Sequence, residues 1–162
     1  MKIFIANDHQ GVSLKIFINN YLSQKNFDVI NLGTDSTDSV DYPVLSKELC
    51  KQVLENPDSM GIIICGTGIG VSIACNKIKG IRCAKATTPD EAALARDHND
   101  ANVLAFSSSI DTSLAMKIID EFIETPFSGD ERHNRRLSLV KDLEANLWQY
   151  GCMFLLYHSS LI

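Results

Sequence analysis

The sequence predicts an α/β protein in which a parallel sheet is covered by helices on both faces. Two observations carry this. Five short apolar runs alternate along the chain with amphipathic stretches, and strands separated by helices join in parallel. The runs are also apolar at consecutive positions, as in KIFIA (2–6) and GIIIC (61–65), the pattern of strands buried on both faces.

Each element has its own signal. Lys2–Ala6 reads as the first strand, ended by the polar Asn7-Asp8-His9. Ser13–Gln24 places Leu14, Phe17, Ile18, Tyr21 and Leu22 at helical spacing. Asp28–Leu32 is a short second strand closed by Gly33, and Val44–Glu55 is a helix stopped by Asn56-Pro57. Gly61–Cys65 is the third strand and Gly66–Gly70 a glycine-rich turn. Val71–Lys77 begins a helix that Gly80 ends, before a fourth strand at Ile81–Ala84. Pro89–Asp97 is a helix with proline near its start, where a missing N–H costs little. Val103–Phe106 is the fifth strand, Ser113–Ile123 a helix stopped by Pro126, and Arg135–Leu147 a last helix. In such a sheet ligands sit beyond the carboxyl ends of strands, near a switch point in strand order. The residues to watch are therefore Asp8-His9, Cys65–Gly70 and the loop after Ala86.

Bulk properties narrow the function. A chain of 162 residues is one domain, or one domain with an appendage. Its net charge of −5 argues against nucleic acid, which requires a broad basic face, but leaves room for one small phosphate. The five cysteines are odd in number, form no C-x-x-C pair and show no zinc spacing. The opening MKIFIANDH is too short an apolar run for a signal peptide, and no stretch is long enough to span a bilayer. The expectation is a reduced cytoplasmic enzyme with free thiols.

The strongest local motif is Cys65-Gly66-Thr67-Gly68-Ile69-Gly70, set between a strand and a helix. Its glycines let the backbone bend tightly and turn several N–H groups into one anion-holding concavity, to which the following helix adds its positive end. A thiolate at that lip suits removal of a proton alpha to a carbonyl, with the nest holding the enediolate oxygen. A plain nucleotide loop or a buried strand-ending cysteine also fits, although the loop lacks both the Lys of a P-loop and dinucleotide glycine spacing. Asp8 and His9 belong to the same sheet edge, where Asp8 also suits a helix cap. His98-Asn99-Asp100 offers an acid or base at a helix end, or simply a turn. Arg132 and Arg136, four apart in DERHNRR (130–136), suit a phosphate clamp on one helix face; a solvated helix start is the plainer reading.

In this order and spacing the motifs resemble the ribose-5-phosphate isomerase B family, which includes galactose-6-phosphate and allose-6-phosphate isomerases. The carriers are Asp8-His9, Asp41-Tyr42-Pro43, ICGTGIGVSIACNK (64–77), GIR (80–82), HNDANVLAF (98–106) and RHNRR (132–136). The resemblance covers residues 1–147 and leaves 148–162 as an apolar C-terminal extension, expected to pack on the body or on a partner subunit. It implies a three-layer α/β/α sandwich with a Rossmann-like parallel sheet of about five strands, no metal or organic cofactor, and homodimers, in some members tetramers, with active sites at the subunit interface. It further implies that Cys65 shuttles the proton between C1 and C2 of ribose 5-phosphate, with Thr67 and His98 assisting ring opening. Gly66, Gly68, Ile69 and Gly70, through their N–H groups, and Asn99 would stabilise the enediolate. Asp8 would contact sugar hydroxyls, Tyr42 line the sugar site, and His9, Arg132 and Arg136 bind the phosphate. Cys65, with Ala74-Cys75 where other members carry a carboxylate, places the chain in the cysteine branch. One departure stands out: after VLAF the family usually reads Gly-Ser-Arg, whereas here Ser109 replaces that phosphate-binding Arg, a loss of roughly 1.5–3 kcal/mol of contact, with Arg135 beside Arg136 as a substitute cation. Rival readings are a six-carbon 6-phosphate isomerase, a non-catalytic phosphosugar-binding module, and a nucleotide-binding module using Gly33-Thr34-Asp35.

Overall fold

The computed structural model describes residues 1–158, with side chains as far as Ala145. The chain divides into two compact units, Met1–Phe127 and Ser128–Ile162.

The first unit is built from β1 (Lys2–Asn7), α1 (Val12–Gln24), β2 (Asp28–Asn31), α2 (Tyr42–Glu55), β3 (Met60–Cys65), α3 (Ile69–Cys75), β4 (Cys83–Lys85), α4 (Pro89–Asn99), β5 (Val103–Ser107) and α5 (Thr112–Glu124). All strand pairs are parallel, in the order β2-β1-β3-β5-β4. Side chains alternate across the sheet. Ile3, Ile5, Ile62, Ile64, Leu104 and Phe106 face α1, α4 and α5 in one buried cluster. Phe4, Ala6, Ile63, Cys65, Val103 and Ala105 face α2 and α3 in the other. This is the expected three-layer sandwich, with β1, β3 and β5 apolar on both sides.

Element boundaries differ from the expected ones where side chains take over backbone pairing. The fourth strand begins at Cys83 and not at Ile81: Arg82 N–H donates to Asn102 Oδ1 at 2.9 Å and Cys83 N–H to Asn76 Oδ1 at 2.8 Å. The second unit carries α6 (Glu131–His158). This helix starts a turn before the expected Arg135, because Asp130 O accepts the N–H groups of both His133 and Asn134 at 2.9 Å, and it continues past Leu147. The expected packing of the 148–162 stretch rests on side chains outside the described residues. Among the described residues no helix is long and apolar enough to cross a membrane.

Candidate functional site

The chain leaves β1 for β2 on one side and then crosses to β3 on the other, so a switch point lies between β1 and β3. At such a point adjacent loops turn opposite ways and open a crevice. The carboxyl ends of the two strands are in register, Asn7 beside Ile64, and Asp8 N–H donates to Ile64 O at 3.0 Å. This brings Asp8 next to Cys65.

Cys65 ends β3 with its side chain toward α2 and α3 and only 5 % exposed. Its sulfur accepts the Gly68 N–H at 3.1 Å. Gly68 achieves this with a φ of +73°, and an added Cβ there would lie 2.7 Å from the Phe106 backbone, so only glycine closes the turn. Thr67 is exposed, and its hydroxyl accepts the Ile69 N–H at 3.2 Å as α3 begins. Gly70 lies against the Tyr42 ring: an added Cβ would meet Tyr42 Cζ at 2.9 Å. Thus Cys65, Gly66, Thr67, Gly68, Ile69, Gly70, Asp8 and Tyr42 lie at one sheet edge. The other described cysteines, Cys50, Cys75 and Cys83, are free and lie in the cluster under α2 and α3. Hydrogen bonding to Cys75, reinforced by burial, holds the Cys50 and Cys83 thiols above the ordinary range. Among the described thiols, Cys65 is the one that directly precedes the glycine turn.

Asp8 is 7 % exposed, and its carboxylate accepts the Gln10 N–H at 2.9 Å. It therefore braces the turn before α1, whose N-cap is Gly11. His9 Nδ1 accepts the Val40 N–H at 3.3 Å, which in the neutral ring leaves the proton on Nε2. Asn7 is not singled out by the sequence, yet it joins two site loops: fully buried, its Nδ2 donates to Asp8 O at 2.8 Å and Thr34 O at 3.1 Å. Its signal is an amide ending an apolar strand. Sequence reasoning also misses Ser107; its hydroxyl donates to Gly66 O at 2.9 Å, and Ser108 N–H donates to Cys65 O at 2.8 Å. Ser109 Oγ lies 2.8 Å from Ser107 Oγ. Beyond Ala86, Thr87 and Thr88 serve the start of α4: Thr88 accepts the Glu91 N–H at 3.2 Å, and Thr87 donates to Glu91.

His98 and Asn99 are not brought to this edge. They end α4, which runs back across the sheet to its amino-terminal side, where Asn102 O accepts the N–H of Gly61 at the start of β3. Cys65 is at the other end of that strand, and six residues span roughly 20 Å. His98 Nε2 lies 3.2 Å from Asp97 Oδ2. Arg132 and Arg136 lie a turn apart and exposed on α6 of the second unit, with Arg132 Nε 3.9 Å from Asp130 Oδ2.

A parallel α/β domain with a thiol, a carboxylate and a glycine-rich turn at its switch point belongs to the class of α/β proteins that take their ligands at the carboxyl edge of the sheet. The ribose/galactose isomerase family matches residues 3–140, and this chain belongs to that family. The chain is 44% identical to the probable ribose-5-phosphate isomerase B of Mycoplasma pneumoniae over 140 residues, which are 85% of this chain and 91% of that one. The ribose-5-phosphate isomerase B structure from Clostridium thermocellum superposes with a TM-score of 0.87 at 40% identity, covering 91% of this chain and 99% of its own. The Mycoplasma genitalium enzyme with bound ribulose 5-phosphate superposes with a TM-score of 0.84 at 42% identity, covering 89% and 96%.

Proposed function

We propose that this chain interconverts D-ribose 5-phosphate and D-ribulose 5-phosphate, the aldose–ketose step of the non-oxidative pentose phosphate pathway. The observation that carries the reading is the Cys65 sulfur held by the Gly68 N–H at the mouth of a glycine turn, with Asp8 beside it. After the ring opens, the Cys65 thiolate takes the C2 proton as the electrons move toward the C1 carbonyl oxygen. The resulting cis-enediolate oxygen faces the main chain of the Gly66–Gly70 turn, where the Gly68 N–H is released from the sulfur as the sulfur takes up the proton. The O2 hydroxyl proton passes to O1, with Asp8 as the relay, and return of the first proton to C1 as the C2 carbonyl forms gives the ketose, so no oxidant or added group is consumed. Thr67 and His98 assist ring opening, Asp8 and Tyr42 hold the sugar, Asn99 stabilises the enediolate, and His9, Arg132 and Arg136 take the phosphate.

This assignment requires His98 and Asn99 to meet Cys65 across roughly the length of a strand, which one chain does not allow. A second copy of the chain satisfies it: the amino-terminal edge of one subunit completes the carboxyl edge of the other, and the working unit is a homodimer, with a homotetramer as the alternative. Support for a covered surface here comes from Ile69 and Ile73 on α3, 54 % and 56 % exposed beside the glycine turn. The free thiols favour a reducing, cytoplasmic setting.

The test is an isomerase assay on ribose 5-phosphate, allose 6-phosphate and galactose 6-phosphate, with Cys65→Ala and His98→Ala chains assayed alone and mixed after unfolding and refolding together. Each variant alone keeps a small residual rate, about a hundredth of wild type or less. Random mixing places one intact site in half of the dimers and restores about a quarter of the wild-type rate. A Cys65→Ala protein at normal rate would remove the thiol from the mechanism. Mixtures without recovery would remove the shared site, and a hexose preference would move the substrate.

A further inference from the structure

We propose that Arg82 is a positioning residue for the His98–Asn99 end of the site, a role that rests on the shared-site reading above. Arg82 stands just before β4, at the sheet edge where α4 ends. Its guanidinium spans three oxygens: Nε donates to the carbonyls of Asn99 and Asp100, each at 2.9 Å, and Nη2 donates to Asp100 Oδ2 at 2.8 Å. From inside α4, Arg96 Nη1 donates to Asp100 Oδ1 at 2.8 Å and to Ala101 O at 2.7 Å. Asp100 carries a φ of +43°, the left-handed conformation that stops the helix and turns the chain toward β5. Such a conformation at a residue with a side chain persists when its surroundings over-determine it, and here two arginines grip one aspartate.

Arg82 is itself fixed. Its N–H donates to Asn102 Oδ1 at 2.9 Å, its carbonyl accepts the Asn102 N–H at 3.1 Å, and Asn102 Nδ2 reaches back to Gly80 O at 2.9 Å. The turn that offers His98 and Asn99 to a second copy is therefore clamped to the start of β4 and β5 by one planar fork. A simple ion pair at this exposure would do little; the function lies in the two carbonyl bonds, which hold the last turn of α4 by its backbone. A lysine preserves the charge but presents a single point to three differently placed oxygens.

The experiment measures steady-state isomerisation by Arg82→Lys, alone and in a chain carrying His98→Ala and Asn99→Ala, with circular dichroism and gel filtration on each. Arg82→Lys should fold and assemble as the parent does. Its kcat should fall on the order of tenfold to a hundredfold, the scale of a misplaced catalytic group, while KM for ribose 5-phosphate moves little. In the His98→Ala, Asn99→Ala background the same substitution should add less than about twofold, since the groups it positions are gone. Should Arg82→Lys fail to fold, Arg82→Gln repeats the comparison, because one side-chain amide cannot serve all three oxygens. An unchanged kcat, or losses that multiply in the double background, would overturn the role of Arg82 alone. Wild-type turnover by the His98→Ala, Asn99→Ala chain would overturn the shared site and this inference with it.

Discussion

Replacing Gly68 by alanine separates a turn held by its surroundings from a merely flexible one. Gly68 has a φ of +73°, where a side chain costs roughly 1–2 kcal/mol. Its new Cβ would stand 2.7 Å from the Phe106 carbonyl carbon and 2.8 Å from its oxygen. Those atoms belong to β5, which the ladders to β3 and β4 hold from both sides, and overpacking against such a neighbour costs roughly 1–3 kcal/mol. Together these predict a loss of roughly 2–5 kcal/mol and a fall in Tm of about 5–15 °C, at about 3 °C per kcal/mol for a chain of this size. Gly66, two residues earlier, is the internal control: an added Cβ would meet only Gln10 Cγ, at 3.7 Å, so Gly66→Ala should stay within about 1 kcal/mol. Urea unfolding followed by circular dichroism measures both. Turnover by folded Gly68→Ala should fall as well, since the displaced N–H is the one on the Cys65 sulfur. Equal midpoints for the two variants would refute the claim that β5 backbone dictates the turn.

Gly70→Ala should act differently. Its Cβ would meet the tip of a half-exposed Tyr42 ring that can swing aside, and alanine gains up to about 1 kcal/mol inside a helix, so stability should hold while KM for the sugar phosphate rises; a destabilised protein with unchanged KM would contradict this. Acid should unfold the chain from a definite side. The Lys15 ammonium holds the Asp35 carboxyl below its usual range, the Thr87 amide does the same for Glu91, and the Ser113 hydroxyl for Asp111. Carboxyls depressed in the folded state stabilise it above their unfolded values, and that contribution is lost as pH falls through the folded ones. Tm should therefore be level near neutrality and decline below about pH 4; a Tm that rises on acidification would show these pairs to be irrelevant.

Much of this is legible in the chain itself. Runs such as GIIIC have one physical solution, a strand buried on both faces, and β3 appears within a residue of its expected start. The glycine turn is legible because an apolar strand ending in Cys-Gly-x-Gly must bend there. Strand order is not: pairing β5 between β3 and β4 depends on residues far apart in sequence. The start of α6 escapes detection because its first turn is polar, and helical periodicity in apolar residues is silent there. The location of His98 escapes for a subtler reason. Its chemistry suits the site, but a residue that ends a helix just before a strand belongs to the amino-terminal side of a parallel sheet, whereas Asp8 and Cys65 follow their strands.

That separation has a kinetic corollary. If Cys65 and His98 reside at opposite ends of a single fold, an isolated chain is a half-reagent, and the rate at great dilution should climb with the square of protein concentration before becoming linear. Output would then respond steeply to scarcity of the polypeptide and hardly at all to its abundance, so the sheet's two ends act together as a threshold on expression.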